Sequence, residues 1–143
     1  MRAAPRLVPE PVGANAEFYA WCARGELRFQ RCADCDTWRH PPRLACTACG
    51  STRTTWSRAS RRGRVWSWTI THQAFDPAFV DEMPYAVVVV EADEGPRIVG
   101  NLQGIDAADL RLDLPVAIHL EAATDAVALI VFRPAGDDAG DVR

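Results

Sequence analysis

The chain has 143 residues, of which 48% are hydrophobic and 24% are charged, as in an ordinary soluble globular protein. No apolar stretch approaches the length of a membrane span and no signal-peptide core stands near the N-terminus, so we expect a cytoplasmic protein without membrane segments. The net charge of −3 is unevenly divided: residues 24–64 hold ten arginines against three acidic residues, and residues 65–143 hold four against fourteen. This division predicts a basic module beside an acidic one.

The first predicted elements are a lead-in and a short helix. Residues 1–13 contain three prolines and show no apolar period, which predicts a flexible N-terminus. Residues 14–25 predict an amphipathic helix that has Asn15 as its N-cap and Gly25 as its stop.

Three apolar side chains form a stripe on this helix, because Phe18, Trp21 and Cys22 are spaced at i, i+3 and i+4. Such a stripe usually buries against its own protein, and docking of Phe18 and Trp21 on a partner subunit is the alternative. We interpret Cys22 as a small buried apolar residue and not as a metal ligand, because no second cysteine lies near it in the helix.

Four of the five cysteines form two Cys-x-x-Cys pairs within residues 26–57, Cys32 with Cys35 and Cys46 with Cys49. Two such turns predict a tetrahedral metal site, and four thiolates leave no open position for catalysis. We expect structural zinc; iron in a rubredoxin-like site is the alternative, because the spacing fits both metals. A pair of disulfides is less expected in the cytosol.

The residues around these pairs predict a zinc ribbon. Residues 27–31 alternate like a strand that leads into the first turn, and residues 54–57 read as a closing strand. His40 lies in the connecting loop, but four cysteines already satisfy the metal. So small a module is expected to fold only with its ion.

A basic linker is predicted next, over residues 58–64, and it carries Arg58, Arg61, Arg62 and Arg64. From there the pattern predicts β-structure over residues 65–134, followed by a flexible tail over 135–143. Five strands, with a possible helical turn between the third and the fourth, predict an OB-fold barrel; an SH3-like barrel or a small sandwich fits the spacing less well. The predicted strands are 65–71, 85–91, 97–103, 115–122 and 126–133.

Within the barrel, four consecutive valines at 87–90 predict a strand that is buried on both faces. Trp66 and Trp68 are two residues apart, so we expect them to share one face and to pack in the core. Phe75 and Phe79 lie in the long loop between the first two strands and are predicted to contact a partner. The predicted fold class is therefore mainly β, with an N-terminal helix and a rubredoxin-like zinc ribbon followed by a five-stranded OB-fold barrel.

Taken together, these motifs resemble the zinc-ribbon plus OB-fold family of acyl-CoA-associated proteins, long classed as a domain of unknown function. The likeness covers roughly residues 14–135, although Asp113 to Val116 stand where many members have a glycine-containing turn, so the start of the fourth strand is expected to differ. The motifs that carry the likeness are Phe18-Tyr19 with Trp21, Leu27 to Cys35, Pro41 to Ser51, Trp56, Gly63-Arg64-Val65, Pro84-Tyr85, Glu94 to Arg97 and Phe132-Arg133-Pro134.

The resemblance implies a non-catalytic accessory subunit that docks on a thiolase-like enzyme, a lipid-transfer-type aldolase or a hydratase-like enzyme and supports its assembly and acyl-CoA handling. CoA carries a 3′-phosphate and a pyrophosphate, and arginines are well suited to bind both. The four linker arginines are thus the candidate CoA contacts; the alternatives are a solvated loop or contacts with an acidic face of a partner.

Three other functions are alternatives to the accessory subunit. A single-stranded nucleic-acid module combines the same two folds, but the acidic barrel opposes it. A rubredoxin-like electron carrier stays open until the metal is known. An enzyme in its own right is least supported, because His72 and His119 stand apart in the sequence and no nucleophile or carboxylate pair accompanies them.

Overall fold

A computed structural model describes residues 7–136. Residues 1–6 and 137–143, which belong to the two predicted flexible ends, lie outside the described residues. The described chain contains one α-helix, α1 (Ala14–Ala23), and two short 3-10 helices at Pro77–Glu82 and Ala107–Asp109; none of these helices is long and apolar enough to cross a membrane. Its strands are β1 (Arg28–Cys32), β2 (Trp38–Arg39), β3 (Thr54–Arg58), β4 (Arg62–Thr71), β5 (Tyr85–Ala92), β6 (Arg97–Leu102), β7 (Pro115–Ala122) and β8 (Ala128–Pro134).

Helix α1 joins the two halves of the molecule, because it packs on β1 and also on β7 and β8. Phe18 and Cys22 are buried in this contact. The N-cap is Gly13, two residues before the predicted Asn15, which lies in the first turn, so the predicted cap was wrong. Gly25 follows the helix with a φ of 80° and donates to the Cys22 carbonyl at 2.9 Å, as predicted for the stop.

Strands β1 to β3 form an antiparallel sheet in the order β2-β1-β3. In this sheet Gln30 of β1 lies opposite Arg39 on one side and Trp56 on the other. Arg58 ends β3 and Arg62 begins β4, so the connection to the barrel is shorter than the predicted linker. Backbone pairing extends the strands here, because the residue after β3, Ala59, donates its N–H to the carbonyl of Leu27 at 2.9 Å.

The remaining strands close into a barrel in the order β4-β5-β6-β8-β7. All neighbouring strands are antiparallel except β6 and β8, which confirms the predicted five-stranded OB-fold. The strands approach so closely at Gly63 that a Cβ there would lie 2.4 Å from the Glu91 carbonyl oxygen. The fully buried side chains of the barrel are Val65, Val88, Val90, Ile98, Val116, Ile118, Val131 and Phe132.

Two predictions about side-chain direction in the barrel were wrong. A β-bulge between Val65 and Ser67 adds a residue to β4, so Trp66 is 48% exposed while Trp68 packs against the core. The valines of β5 alternate: Val88 and Val90 are buried, whereas positions 87 and 89 are only half-buried on the outer face. The strand is therefore covered on one face alone.

The turn before β7 contains a residue other than glycine with a positive φ. Asp113 has a φ of 62°, in the left-handed region that glycine adopts most easily and that aspartate tolerates better than most residues. Its N–H donates to the carbonyl of Val65 at 2.9 Å, so the turn remains tied to β4.

Candidate metal centre

The two cysteine pairs sit in turns of matching geometry. The N–H of Asp36 donates to the Cys32 carbonyl at 3.0 Å, and the N–H of Gly50 donates to the Cys46 carbonyl at 2.8 Å. Both donors have positive φ, 63° for Asp36 and 77° for Gly50. The sequence indicated only the glycine; Asp36 fills the equivalent place in the first turn.

These turns bring all four sulfurs into one cluster, in which the Sγ atoms lie within 4.8 Å of one another. The Sγ atoms of Cys32 and Cys49 are 3.6 Å apart, as are those of Cys35 and Cys46. A tetrahedral ion with metal–sulfur bonds of about 2.3 Å separates its ligands by about 3.8 Å, so the cluster fits such an ion. The distances exceed the disulfide length of about 2.05 Å, and all five cysteines are free thiols.

Backbone N–H groups favour the thiolate form in two of the four ligands. Those of Cys49 and Ala48 lower the pKa of the Cys46 thiol to about 6. Those of Cys35 and of the residue before it lower the pKa of Cys32 in the same way. Metal binding requires thiolates, so the turns prepare Cys32 and Cys46 for an ion. Although the Ser51 N–H lowers it, the neighbouring thiols of Cys35 and Cys32 raise the pKa of Cys49 to about 12.

A buried polar cluster holds the loop between the two turns, and nothing in the sequence pattern indicated it. Arg39, only 6% exposed, donates from Nε to the Oε1 of Gln30 at 2.7 Å and from Nη2 to the Arg43 carbonyl at 3.3 Å. Nη2 also donates to the hydroxyl of Thr54, which lies opposite Cys32 in the sheet. The same Gln30 oxygen accepts from the Arg43 N–H at 2.8 Å. The cluster therefore fixes the second turn against the strands that carry the first.

His40 lies at the junction of the ribbon with α1. Its ring centroid is 4.7 Å from that of Phe18 and 5.3 Å from that of Phe29. Burial lowers the pKa of His40 to about 4, so the ring is neutral at pH 7. Nearby Cys22 is buried as predicted, and burial raises the pKa of its thiol to about 11.

The four arginines predicted to contact CoA form two pairs that differ in their contacts. The Nη2 of Arg58 forms an ion pair of 3.1 Å with Glu26, and Arg61 donates to the carbonyl of Gly25. Arg62 and Arg64 are exposed and occupy alternate positions of β4, on the outer side of the barrel. Only this pair presents two exposed guanidinium groups side by side.

The aromatic residues predicted to contact a partner differ in how exposed they are. Phe18 is only 3% exposed and belongs to the core, as expected for a stripe that buries against its own protein, which leaves little of the ring for the alternative contact with a partner. Trp21 is half-buried under the guanidinium of Arg28, which lies 4.1 Å from the ring centroid. In the long loop, Phe79 packs against Tyr85 with ring centroids 5.7 Å apart, whereas Phe75 is 90% exposed.

An open cleft of about 420 Å³ lies at the end of the barrel where β4 and β6 finish and β5 begins. Apolar side chains, including Ile70, Leu102 and Ile105, share its lining with the carboxylates of Glu82 and Glu121. Two carboxylates repel phosphate groups, so this cleft does not suit the phosphates of CoA, whereas the Arg62–Arg64 pair does.

Comparison with known proteins matches both halves of the chain. Residues 22–55 match the family model described as "ChsH2, rubredoxin-like zinc ribbon domain", and residues 56–121 match "ChsH2, C-terminal OB-fold domain". A solved chain described as "Ltp2-ChsH2(DUF35) aldolase" superposes with a TM-score of 0.82 at 39% sequence identity. The match covers 90% of this chain and 99% of that one.

Three curated relatives extend the likeness. A probable enoyl-CoA hydratase alpha subunit of Thermomonospora curvata is 40% identical over 121 residues, which are 85% of this chain and 37% of that protein. The 3-oxo-4,17-pregnadiene-20-carboxyl-CoA hydratase alpha subunit of Mycobacterium tuberculosis is 36% identical over 71% of this chain and 32% of its own length. A DUF35 domain-containing scaffold protein of Methanocaldococcus jannaschii is 29% identical over 60% of this chain and 61% of its own. The chain thus spans about a third of the two hydratase subunits.

Proposed function

Because the chain belongs to the ChsH2 (DUF35) family of zinc-ribbon and OB-fold proteins, we propose that it is a non-catalytic, zinc-binding accessory subunit of an enzyme that processes acyl-CoA. The observation that carries this proposal is the likeness, over nearly the whole of both chains, to a chain of the Ltp2–ChsH2(DUF35) aldolase. Four converging thiols support a structural role for the metal, since they fill every position of a tetrahedral ion.

We propose an Ltp2-type aldolase as the first partner to test, followed by a hydratase and then a thiolase-like enzyme. The order follows the relatives: the aldolase chain matches over 99% of its length, whereas the hydratase subunits match over about a third of theirs. Docking would let the chain stabilise the enzyme and help to position its thioester substrate, while the reacting groups come from the enzyme.

Contact with CoA is the second part of this proposal, and we assign it to Arg62 and Arg64. Both guanidinium groups are exposed on one side of β4, whereas Arg58 and Arg61 already bind other groups of the chain. A pair of arginines binds the 3′-phosphate or the pyrophosphate of CoA through charge-assisted hydrogen bonds. Replacing both with glutamine is expected to raise the KM of the assembled complex for its acyl-CoA.

The test is co-expression with an Ltp2-type aldolase and, separately, with a hydratase from the same genome. We expect co-elution with one of them, a gain in the solubility or activity of that enzyme, and one zinc per chain by elemental analysis. The proposal fails if the chain elutes alone and leaves the solubility and activity of each enzyme unchanged. A coloured protein with one iron would instead favour the electron-carrier function.

A further inference from the structure

The outer side of β4, β5 and β6 carries an apolar patch that the sequence did not predict. We call it the valine face and define it by Trp66, Val87, Val89 and Val99. Val89 lies opposite Val99 in β6 and opposite Ser67, just past the bulge, in β4. Trp66 is 48% and Val99 is 59% exposed, while the other two valines are half-buried.

The residues of this face are only partly covered: the Arg97 side chain stacks on the Trp66 ring, which stays 48% exposed. The only α-helix in residues 7–136 packs on β1, β7 and β8, which leaves Trp66 and Val99 open to solvent. Contiguous apolar surface of this kind, centred on a tryptophan, is typical of protein interfaces and uncommon elsewhere.

The border of the valine face is positively charged. The guanidinium of Arg97 lies 3.6 Å from the centroid of the Trp66 ring, and its Nε is 3.3 Å from the Oε2 of Glu91. Arg64 lies opposite Glu91 in the sheet, and Arg62 lies two residues before it on the same strand. Three arginines thus border the face together with two acidic residues, Glu91 and Asp93; the N–H of Asp93 donates to the Arg62 carbonyl at 2.9 Å. The border keeps a net positive charge, although the barrel half of the sequence is strongly acidic.

This border determines which occupant fits. A second copy of the chain would bring a second positively charged border to the same interface, which costs free energy. A partner with acidic residues around an apolar centre would instead pair with the arginines of the border. The stacking of Arg97 also holds the Trp66 ring in place before binding, which lowers the entropy lost on association.

We infer that the valine face is the surface on which the partner enzyme docks, and that the enzyme meets it with an apolar patch bordered by aspartates or glutamates. This inference rests on the proposed accessory function and adds the location of the interface and the chemistry of the opposing surface. It also places the Arg62–Arg64 pair at the edge of the interface, where a CoA bound to the enzyme can reach both guanidinium groups.

The test measures the dissociation constant of the full chain for an Ltp2-type aldolase, the probe chosen above. Trp66→Ala and Val99→Asp are each expected to weaken binding by about 30-fold or more, as for central interface residues. Leu44→Asp is the matched control, because Leu44 is 83% exposed in the ribbon loop, and it is expected to bind like the unmodified chain. Val99→Thr preserves the shape and the β-branch and guards against misfolding, with a loss of several-fold.

The salt dependence of association tests the charged border independently of the apolar residues. Arg97→Glu is expected to slow association and to reduce its dependence on salt, because one attractive charge at the border becomes repulsive. If the unmodified chain binds the aldolase and the valine-face variants bind equally well, the inference is wrong while the accessory function stands. If it binds none of the candidate enzymes, both fail. A dimer of the chain that Trp66→Ala dissociates would show that a second copy is the occupant and would also overturn the inference.

Discussion

The ribbon sheet β2-β1-β3 and the barrel β4 to β8 adjoin each other in one chain, yet they differ in strand length and in the polarity of their buried side chains. The ribbon strands have five, two and five residues, and the buried polar side chains of the described residues, Gln30 and Arg39, both belong to them. The barrel strands have six to ten residues and a core of valine, isoleucine and phenylalanine. The ribbon therefore relies on directional hydrogen bonds and on a cluster of four thiols that fits an ion, whereas the barrel relies on apolar burial.

Helix α1 contacts both the ribbon and the barrel, so the strength of its packing decides whether the two halves unfold together. Phe18 is buried, and its ring meets His40 of the ribbon, while the helix also packs on β7 and β8. If the contact is strong, loss of the ribbon will destabilise the barrel; if it is weak, the two halves will unfold separately.

Removal of the metal is expected to have the largest effect. Structural zinc contributes about 10–16 kcal/mol of apparent binding free energy in zinc-finger peptides, so a chelator or Cys46→Ser should unfold the ribbon. The barrel core contains none of the four cysteines and should stay folded. Hydrogen exchange measures this directly: protection is expected to disappear in β1 to β3 and to persist in β5, β6 and β8.

Cys22→Ala is the matched control, because Cys22 is buried in α1 outside the cluster and its replacement should leave the metal content unchanged. Simultaneous loss of protection in β5 and β8 on chelation would contradict a separately stable barrel. It would mean that α1 couples both halves into one cooperative unit.

The converse change is Phe132→Ala, which opens a cavity in the barrel. Phe132 is fully buried in β8, and truncation of such a phenylalanine costs about 3–5 kcal/mol in the free energy of unfolding. Urea unfolding should show this loss for the barrel transition, while the zinc content stays at one per chain. Phe75→Ala, at a 90% exposed site, should leave the transition in place. Loss of zinc in Phe132→Ala would show that the ribbon needs the barrel.

The features predicted from the sequence are those encoded by neighbouring residues. Each cysteine pair lies within a single turn, so its spacing alone indicates the geometry of the ligands. Alternation and turn residues placed the five barrel strands to within a few residues. Both kinds of signal are local, and the fold follows from them.

The missed features depend on pairings between distant strands. The bulge at Trp66 becomes visible only against the register of β5, and it turns a presumed core tryptophan outward. Whether the outer valines of β5 are covered depends on where α1 packs, which no local pattern reveals. The bonds of Arg39 to Gln30 and Thr54 likewise join three strands, and a buried arginine is not expected from composition.

The smallest expected effect concerns pH and tests the junction itself. The folded chain binds a proton at His40 only near pH 4, because burial lowers its pKa, whereas the unfolded chain binds one near the ordinary pKa of about 6.5. Stability from the neutral ring is therefore complete above pH 6.5 and falls between pH 6.5 and about 4, by up to about 3 kcal/mol. His40→Phe should flatten this part of the curve of unfolding free energy against pH. Acid would also release a cysteine-bound metal from both proteins, so the difference between the two curves isolates the histidine. Equal slopes for His40→Phe and the unmodified chain would mean that the ring is not held between Phe18 and Phe29 in solution, and that α1 couples the two halves less tightly than the packing indicates.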